Sequence, residues 1–347
     1  MTAMTPRFSI HTILMTCRTL FAGFCGGLLM SVVGFPAAFL TGPALFVSLM
    51  SMNGWQTHIP VWLRYTAFCV IGTFLGGSVD EESLKQLSQW PVSLFLLAAG
   101  LLINFYASSF LLHKFFSVDK DTARLSSVPG HMSLIVSLSI EKNADAKLIV
   151  MIQSLRILCL TLIVPAIVML VGIPEYVADA PTTMTWQDTI ILLLAGAVLG
   201  FVLSKTSMPA PFLIGPMFLS TAAHLTGVST GHVPQELMLP AILVVGSMAG
   251  SRFTKLKFGE FIFFLKLASI VIGVAGLSTI LLGSITAYFT GLPLVSVLIA
   301  FSPGGLEAMI AMGSVVGADP TYIASHHLFR LFFLTALIAI VLRKKRS

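Results

Sequence analysis

Two arginines, Arg156 and Arg330, lie inside long apolar runs, each about eleven residues beyond an aspartate, Asp145 or Asp319. At a rise of about 1.5 Å per residue, this separation is roughly 16 Å along a helix, which would put each guanidinium near mid-membrane. A cation there costs at least about 2.5–3.5 kcal/mol, so each arginine should face the protein interior and have a partner. Two interpretations stay open: a structural arginine that bonds backbone carbonyls of broken segments, and a residue that binds an anion or couples transport.

Further polar side chains lie on the same two predicted helices. Gln153 and Ser154 precede the first arginine, and His326 and His327 precede the second. Residues three and four apart share a helix face, so we expect His326, His327 and Arg330 to contribute to one polar surface. The adjacent histidines point in different directions on a helix and make a poor metal pair. Because the sequence shows no nucleotide-binding loop, serine-nucleophile motif or metal-ligand cluster, we expect neither an enzyme nor a bound metal or cofactor.

Two short segments interrupt the apolar pattern with proline and glycine. Residues 126–131 read Ser-Ser-Val-Pro-Gly-His, and residues 301–305 read Phe-Ser-Pro-Gly-Gly. A hydroxyl cap, a proline start and glycines that permit close backbone approach predict half-helices that open inside the membrane. The N–H groups at such N-termini hold anionic substrates in many carriers; the alternative is a tight re-entrant turn without a ligand. The candidate binding positions in these segments are Pro129, Gly130, Ser302, Pro303, Gly304 and Gly305.

Three acidic residues accompany these segments. Asp319 precedes a proline, as a helix N-cap followed by proline at the first helical position would, and Asp145 matches it, so we expect both to cap helices. Glu307 lies in the second Pro-Gly segment, and its counterpart in the first is Ser133. An intramembrane carboxylate is either a proton or cation carrier or the partner of one of the two arginines in a structural salt bridge. We keep both roles open for Glu307.

The composition specifies the elements that must position these residues. The chain has 347 residues, of which 56% are hydrophobic and only 10% charged, with a mean hydropathy of +0.95. In soluble domains roughly a quarter of all residues are charged, so this chain is predicted to be an all-α polytopic membrane protein. The net charge of +6 comes from residues at helix ends and indicates orientation in the membrane rather than binding of nucleic acid.

The chain contains the same pattern twice, about 173 residues apart. The first set recurs in order as the second: Gly23, Gly27, Pro36, Ala37, Phe39, Leu40, Gly42 and Pro43, then Gly196, Gly200, Pro209, Ala210, Phe212, Leu213, Gly215 and Pro216. We therefore predict two membrane repeats, at residues 1–172 and 188–347. The predicted spans are at about 12–33, 37–53, 61–78, 89–113 and 148–171, then 188–205, 210–227, 236–251, 259–288 and 320–342, with short re-entrant segments at 126–141 and 300–316.

Equivalent loops of the two repeats carry opposite charge. After the third span, residues 80–82 are all acidic, whereas residues 252–257 contain one arginine and two lysines. Lys and Arg are retained on the cytoplasmic side, so the two repeats are predicted to be inverted relative to each other. Inversion requires an odd number of crossings per repeat, which gives about ten transmembrane helices plus the two re-entrant Pro-Gly segments. We expect both termini in the cytoplasm and the protein in a bacterial inner membrane.

These motifs resemble the AbrB family of duplicated bacterial membrane proteins. The resemblance extends over nearly the whole chain and rests on four motifs: 35–43 (FPAAFLTGP), 153–156 (QSLR), 302–309 (SPGGLEAM) and 317–320 (GADP). Members have been described as regulators of gene expression and labelled ammonia monooxygenases. An oxygenase would need metal ligands that this sequence does not display, and a direct transcription factor would need a DNA-binding domain outside the membrane.

The leading hypothesis is a secondary transporter whose site lies between the two Pro-Gly segments. Its surplus of positive charge favours a small anionic solute, and Glu307 would couple protons. The alternatives are a membrane-embedded regulator that acts indirectly on gene expression and, more remotely, an enzyme of the monooxygenase kind. We expect the lipid bilayer and a small solute as partners, no direct contact with nucleic acid, and leave a homo-oligomer open.

Overall fold

The computed structural model describes residues 10–79, 90–129, 132–171, 182–206, 208, 210–254, 256 and 258–341. This part of the chain is helical, apart from turns, short loops and one isolated bridge between Thr183 and His232. The helical membrane class predicted from composition is confirmed at this level, since seven described helices are long and apolar enough to cross a bilayer.

Fourteen α-helices lie within the described residues and fall, in chain order, into two series of seven. The first series comprises α1 (Ile10–Val32), α2 (Ala38–Met52), α3 (Val61–Gly77), α4 (Trp90–Phe116), α5 (Lys120–Ser127), α6 (Met132–Glu141) and α7 (Ala146–Val171). The second comprises α8 (Trp186–Leu203), α9 (Pro211–Leu225), α10 (Gln235–Gly250), α11 (Phe258–Thr290), α12 (Leu294–Phe301), α13 (Leu306–Val315) and α14 (Pro320–Val341). The sequence of longer and shorter helices is the same in both series.

The predicted spans correspond to ten of these helices. Seven of them meet the length and hydropathy expected of a membrane span, and the other three, α2, α3 and α9, are apolar but only 15, 17 and 15 residues long. Helices of this length rise about 22–26 Å, less than the roughly 30 Å of a hydrocarbon core. The count of ten crossings therefore stays a prediction.

The two series interlock through their second and third helices. Gly72 of α3 lies against the backbone carbonyl of Leu213 in α9, and Gly246 of α10 lies against that of Leu40 in α2. A Cβ atom at either glycine would collide with the carbonyl oxygen, so glycine permits this close approach. Equivalent positions of the two predicted repeats thus make equivalent contacts, each across to the other series.

The residue that precedes α2 and the residue that precedes α9 have an unusual backbone conformation. Ala37 and Ala210, which precede α2 and α9, have φ values of 51° and 44°, in the left-handed region that residues other than glycine rarely adopt. Gly196 and Gly200 of α8 lie against Pro216 and Phe212 of α9, so their Gly-x-x-x-Gly spacing allows these two helices to pack closely.

Several predictions about orientation fall outside the described residues. They depend on residues that the structure does not describe: the acidic residues 80–82, Lys255, Lys257, residues 172–181 of the linker, and the chain ends at 1–9 and 342–347. The inversion of the repeats, the boundary between them and the cytoplasmic termini accordingly remain predictions.

Candidate functional site

The second Pro-Gly segment is the tip of a helical hairpin formed by α12 and α13. Near its start, Ser296 Oγ accepts a hydrogen bond of 3.2 Å from the backbone N–H of Asp319, at the hairpin's end. Along α14, Ile299 O then faces His327 at 3.2 Å and Ser302 O faces Arg330 at 2.7 Å. The chain therefore rises along α14 to the interruption at residues 302–305 and returns to its starting level. The structure thus shows a helical hairpin at the second Pro-Gly segment, and its re-entry into the membrane stays a prediction.

The hairpin is longer than the sequence indicated. We predicted short segments at 126–141 and 300–316, whereas the structure adds a first leg to each, α5 at Lys120–Ser127 and α12 at Leu294–Phe301. The N-cap of the first leg is Asp119, whose side chain accepts a hydrogen bond from the N–H of Thr122, and the N-cap of the second is Pro293. Both legs are short because a Pro-Gly interruption follows and ends each of them eight residues after its N-cap. Each Pro-Gly segment is thus the tip of a two-helix unit.

At the tip of the second hairpin, Arg330 is bonded to the backbone. Its Nη1 donates to Ser302 O at 2.7 Å and its Nη2 donates to Gly304 O at 3.0 Å. Nη2 also lies 2.6 Å from Nδ1 of His327. Arg330 is only 3% exposed, so these are buried, charge-assisted hydrogen bonds. Met309 fills the space beside Gly304 that a Cβ would need, which keeps the tip compact.

The hydrogen bonds of His327 specify its protonation. Nε2 faces the carbonyl of Ile299, which can only accept, and Nδ1 faces the guanidinium of Arg330, which can only donate. The ring therefore carries a single proton, on Nε2. His327 links the first leg of the hairpin to the arginine at its tip.

The first hairpin, formed by α5 and α6, repeats the same frame. Thr122 Oγ1 accepts from the backbone N–H of Asp145 at 2.9 Å, as Ser296 does from Asp319. Gln153 Nε2 donates to Leu125 O at 3.2 Å, taking the place of His327 on Ile299. Pro129 lies at its interruption, and Gly130 lies outside the described residues.

The arginine beside this first hairpin is buried but not bonded in the same way. Arg156 is 2% exposed, and its Nε and Nη1 find no hydrogen-bond partner in the part of the chain that the structure describes. The same holds for the buried hydroxyls of Ser126 and Ser154. The first hairpin therefore leaves several polar atoms unsatisfied where the second binds its arginine to backbone.

Both aspartates cap the helix that follows, as predicted. Asp145 Oδ1 accepts from the N–H of Leu148 at 2.9 Å. Asp319 Oδ1 accepts from the N–H groups of Thr321 and Tyr322 at 2.8 and 3.2 Å. Each bond satisfies a donor at the start of α7 or α14.

His326 lies in a different neighbourhood from His327. Its Nδ1 is 2.8 Å from the carbonyl of Tyr322 and its Nε2 is 2.7 Å from Ser93 Oγ in α4. The rings of Trp90, Phe301 and Tyr322 surround it. The surface that Arg330 shares with His327 does not extend to His326, because neighbouring side chains on a helix diverge by about 100°.

Glu307 is the second residue of α13, which begins at Leu306 after the N-cap residue Gly305. The Glu307 side chain is outside the described part, so its roles as a proton carrier or salt-bridge partner stay predictions. Among the described residues, no three His, Cys, Asp or Glu side chains are placed to hold a metal ion.

A small cavity beside the second tip brings in polar residues that the sequence analysis did not select. Pro303 and Phe301 line one side, and Asn104 of α4 and Thr279 of α11 line the other, with roughly the space of a single water molecule between them. Thr279 Oγ1 donates to Phe301 O at 3.2 Å. Asn104 and Thr279 are buried polar residues in apolar helices, so the rule that singled out the arginines could have found them.

Comparison with known proteins identifies the family of this chain. The profile of the family described as "Transition state regulatory protein AbrB" matches residues 39–345. The chain belongs to the AbrB family. This family member is 23% identical to "Uncharacterized protein YhjN" of Bacillus subtilis (strain 168), covering 90% of this chain and 88% of the relative. It is 24% identical to "Putative regulator AbrB" of Escherichia coli (strain K12), covering 86% and 87%.

Proposed function

We propose that this AbrB-family membrane protein is a secondary transporter of a small anionic solute. The observation that supports this is the pair of helical hairpins, each bonded to a following helix that carries an arginine at most 3% exposed, Arg156 in α7 or Arg330 in α14. Non-helical backbone is tolerated at membrane depth only inside protein or along a water-lined path. Carriers build substrate sites from such interrupted helices near the bilayer midplane.

The charge of the site favours an anion. Arg330 brings a buried positive charge to the second tip, and α13 begins at the same tip with an N-cap, Gly305, that makes no side-chain bond to the helix N–H groups. A helix N-terminus carries about half a positive charge, so it adds to the field of the arginine. The ion pairs resolved in the described structure, Arg124–Asp121 and Lys147–Glu260, involve side chains that are 38–61% exposed and leave Arg156 uncompensated.

The proposed transporter has the membrane topology that the sequence predicts. The two series are inverted repeats in a bacterial inner membrane, with both termini in the cytoplasm, and the hairpins approach the site from opposite sides. Glu307, present in only the second hairpin, binds the proton that is coupled to the solute.

Transport is tested by flux. Metabolites that differ between deletion and overexpression strains identify candidate solutes, and their uptake is then measured in proteoliposomes containing the purified protein. Arg330→Ala and Glu307→Gln, each confirmed to be folded and inserted, should abolish uptake. Arg124→Gln is the matched control, since this arginine is exposed and pairs with Asp121 at 3.6 Å on α5. Unchanged flux in both site variants would contradict the proposal.

A membrane-embedded regulator is the second candidate, favoured by the regulatory name of the Escherichia coli relative. Transport can alter gene expression indirectly through the solute that it moves. The two functions separate in a strain that carries Arg330→Ala: a transporter loses any effect on expression together with flux, whereas a regulator keeps that effect without flux.

A further inference from the structure

We propose that the two buried arginines have different tasks: Arg330 holds the second hairpin together, and Arg156 binds a small oxyanion, such as a carboxylate or an inorganic oxyanion. This inference rests on the proposed transport function, because it names the substrate class and the residue that holds it. The two guanidinium groups differ in their hydrogen bonds.

Arg330 is committed to the protein. Its two terminal nitrogens donate to Ser302 O and Gly304 O, and Nη2 also donates to Nδ1 of His327. Binding a ligand with these donors would break hydrogen bonds that close the tip and leave buried carbonyls unsatisfied. Arg330 is therefore a positioning residue for the second hairpin.

Arg156 has no comparable hydrogen bonds to the described residues. It stands at the equivalent position of α7, is 2% exposed, and has neither a hydrogen bond nor an ion pair with the described residues, with Nε and Nη1 fully enclosed. Transfer of an isolated charge out of water is so costly that buried charges are as a rule paired. A guanidinium presents five N–H donors and no acceptor, so the missing partner is an acceptor with negative charge.

Two buried serines lie at the same level and also lack partners. The bond from Gln153 to Leu125 O fixes the last turn of α5 beside α7. Ser126 and Ser154 directly follow these two residues, are at most 1% exposed, and have hydroxyls without a hydrogen bond in the described structure. Gln153 and Arg156 are three residues apart and share the face of α7 that meets α5, so Ser126 is the unbonded hydroxyl at this level. Ser154 is two residues before Arg156 and about 200° away from it around the helix.

The second hairpin shows that these polar groups are not required by the fold. At the positions equivalent to Ser126 and Ser154 it has Ala300 and Leu328, both apolar. The same backbone frame therefore forms without the two hydroxyls. A Ser126 hydroxyl in the first hairpin alone, at the level of an arginine that has no partner among the described residues, is what a ligand site in one of two similar hairpins requires.

The burial of the site limits the ligand to a small one. Arg156 and both serines are almost completely enclosed, so a lipid headgroup that stays attached to its chains would not reach them. A free carboxylate or inorganic oxyanion offers two or more acceptor oxygens in the spacing that a guanidinium and hydroxyls recognise. Both ligands share this chemistry, and the experiment distinguishes them.

Binding is measured directly on the purified full-length protein in detergent. Sodium acetate, citrate, phosphate and sulfate are added at constant ionic strength, with sodium chloride as the reference, and the Tm and heat of binding are recorded. We expect at least one oxyanion to raise the Tm in a saturable way. Arg156→Gln should weaken that binding roughly 10- to 100-fold, since a charge-assisted bond is worth about 1.5–3 kcal/mol.

Matched variants separate this site from the transport function. Ser126→Ala, which copies Ala300 of the second hairpin, should fold normally and weaken binding in the same direction, and so tests the site even if Arg156→Gln does not fold. Arg330→Gln should lower the Tm without ligand, and lose flux, yet keep the ligand-induced shift. Arg124→Gln should change none of these quantities.

The outcomes distinguish the two proposals. If no oxyanion shifts the Tm, or if Arg156→Gln and Ser126→Ala leave binding unchanged, the assignment of the site is overturned, whether or not flux is observed. If an oxyanion binds through Arg156 but proteoliposomes show no uptake of it, the site stands and the transport function fails. Response to carboxylates alone, or to phosphate and sulfate alone, identifies the ligand class.

Discussion

The first and second hairpins share a backbone frame but differ in what fills it. In both, a hydroxyl near the start accepts from the N–H of the aspartate at the end, and a side chain of the following helix meets a carbonyl of the first leg. The differences are in side chains, and the pairs at equivalent positions are Ser126 and Ala300, Gln153 and His327, and Ser154 and Leu328. The frame is therefore maintained by contacts that both hairpins keep.

What differs is the state of the arginine. In the second hairpin Arg330 is bonded to the tip, and its neighbour His327 is fixed between two partners. In the first, Arg156 and two hydroxyls are enclosed without partners among the described residues. One frame thus holds an arginine that is bonded to backbone and, at the equivalent position, an arginine without bonds to the described residues, and this contrast is the basis of the two tasks that we propose.

The largest expected effect comes from removing each arginine in turn. Arg330→Met should lower the free energy of unfolding by about 3–5 kcal/mol, because it leaves buried carbonyls without their donor. Arg156→Met should leave it unchanged or raise it by about 1–4 kcal/mol, because it removes a buried charge that has no partner among the described residues. Denaturant unfolding in detergent micelles without added oxyanion measures both. Equal losses in the two variants would show that the arginines have the same structural role.

The crossed packing of the two series should respond equally on both sides. Gly72→Val and Gly246→Val each place a side chain against a backbone carbonyl of the opposite series, Leu213 O or Leu40 O. Overpacking of this kind costs about 1–3 kcal/mol, so both variants should lose a similar amount of stability in thermal unfolding. Gly276→Val in α11 is the control, since a Cβ there has no neighbour within 4 Å. A loss on one side only would mean that the two contacts are not equivalent.

The shared frame predicts a smaller, equal effect at the start of each hairpin. Thr122→Val and Ser296→Ala remove the hydroxyl that accepts from Asp145 N–H or Asp319 N–H. Each should cost about 1 kcal/mol of unfolding free energy, the usual net value of one hydrogen bond. Thr335→Val provides the control, because its exposed hydroxyl bonds only within its own helix. The idea of a common frame fails if one hairpin loses its stability and the other does not.

Some of this structure could be predicted from sequence and some could not. Hydrophobic length and Pro-Gly interruptions identified the spans and the tips, and the aspartates with their following turns identified the caps, because these signals are local. The first legs of the hairpins were missed: α12 is eight residues and almost wholly apolar, so it carries no helical period. The contrast between the arginines was invisible because the partners of Arg330 are backbone carbonyls, which every residue type has.

The smallest effect concerns the loop between α9 and α10 in the second series. His232 is partly buried there, and desolvation, together with the nearby His224, lowers its pKa from the usual 6.5. His232 is therefore harder to protonate in the folded protein than in the unfolded chain. Its contribution to stability is constant above about pH 6.5 and is lost as the pH drops below that value. The Tm measured between about pH 7.5 and 5.5 should show this decline, and His232→Gln should flatten it. A decline that persists unchanged in His232→Gln would assign the titration to a group outside this loop.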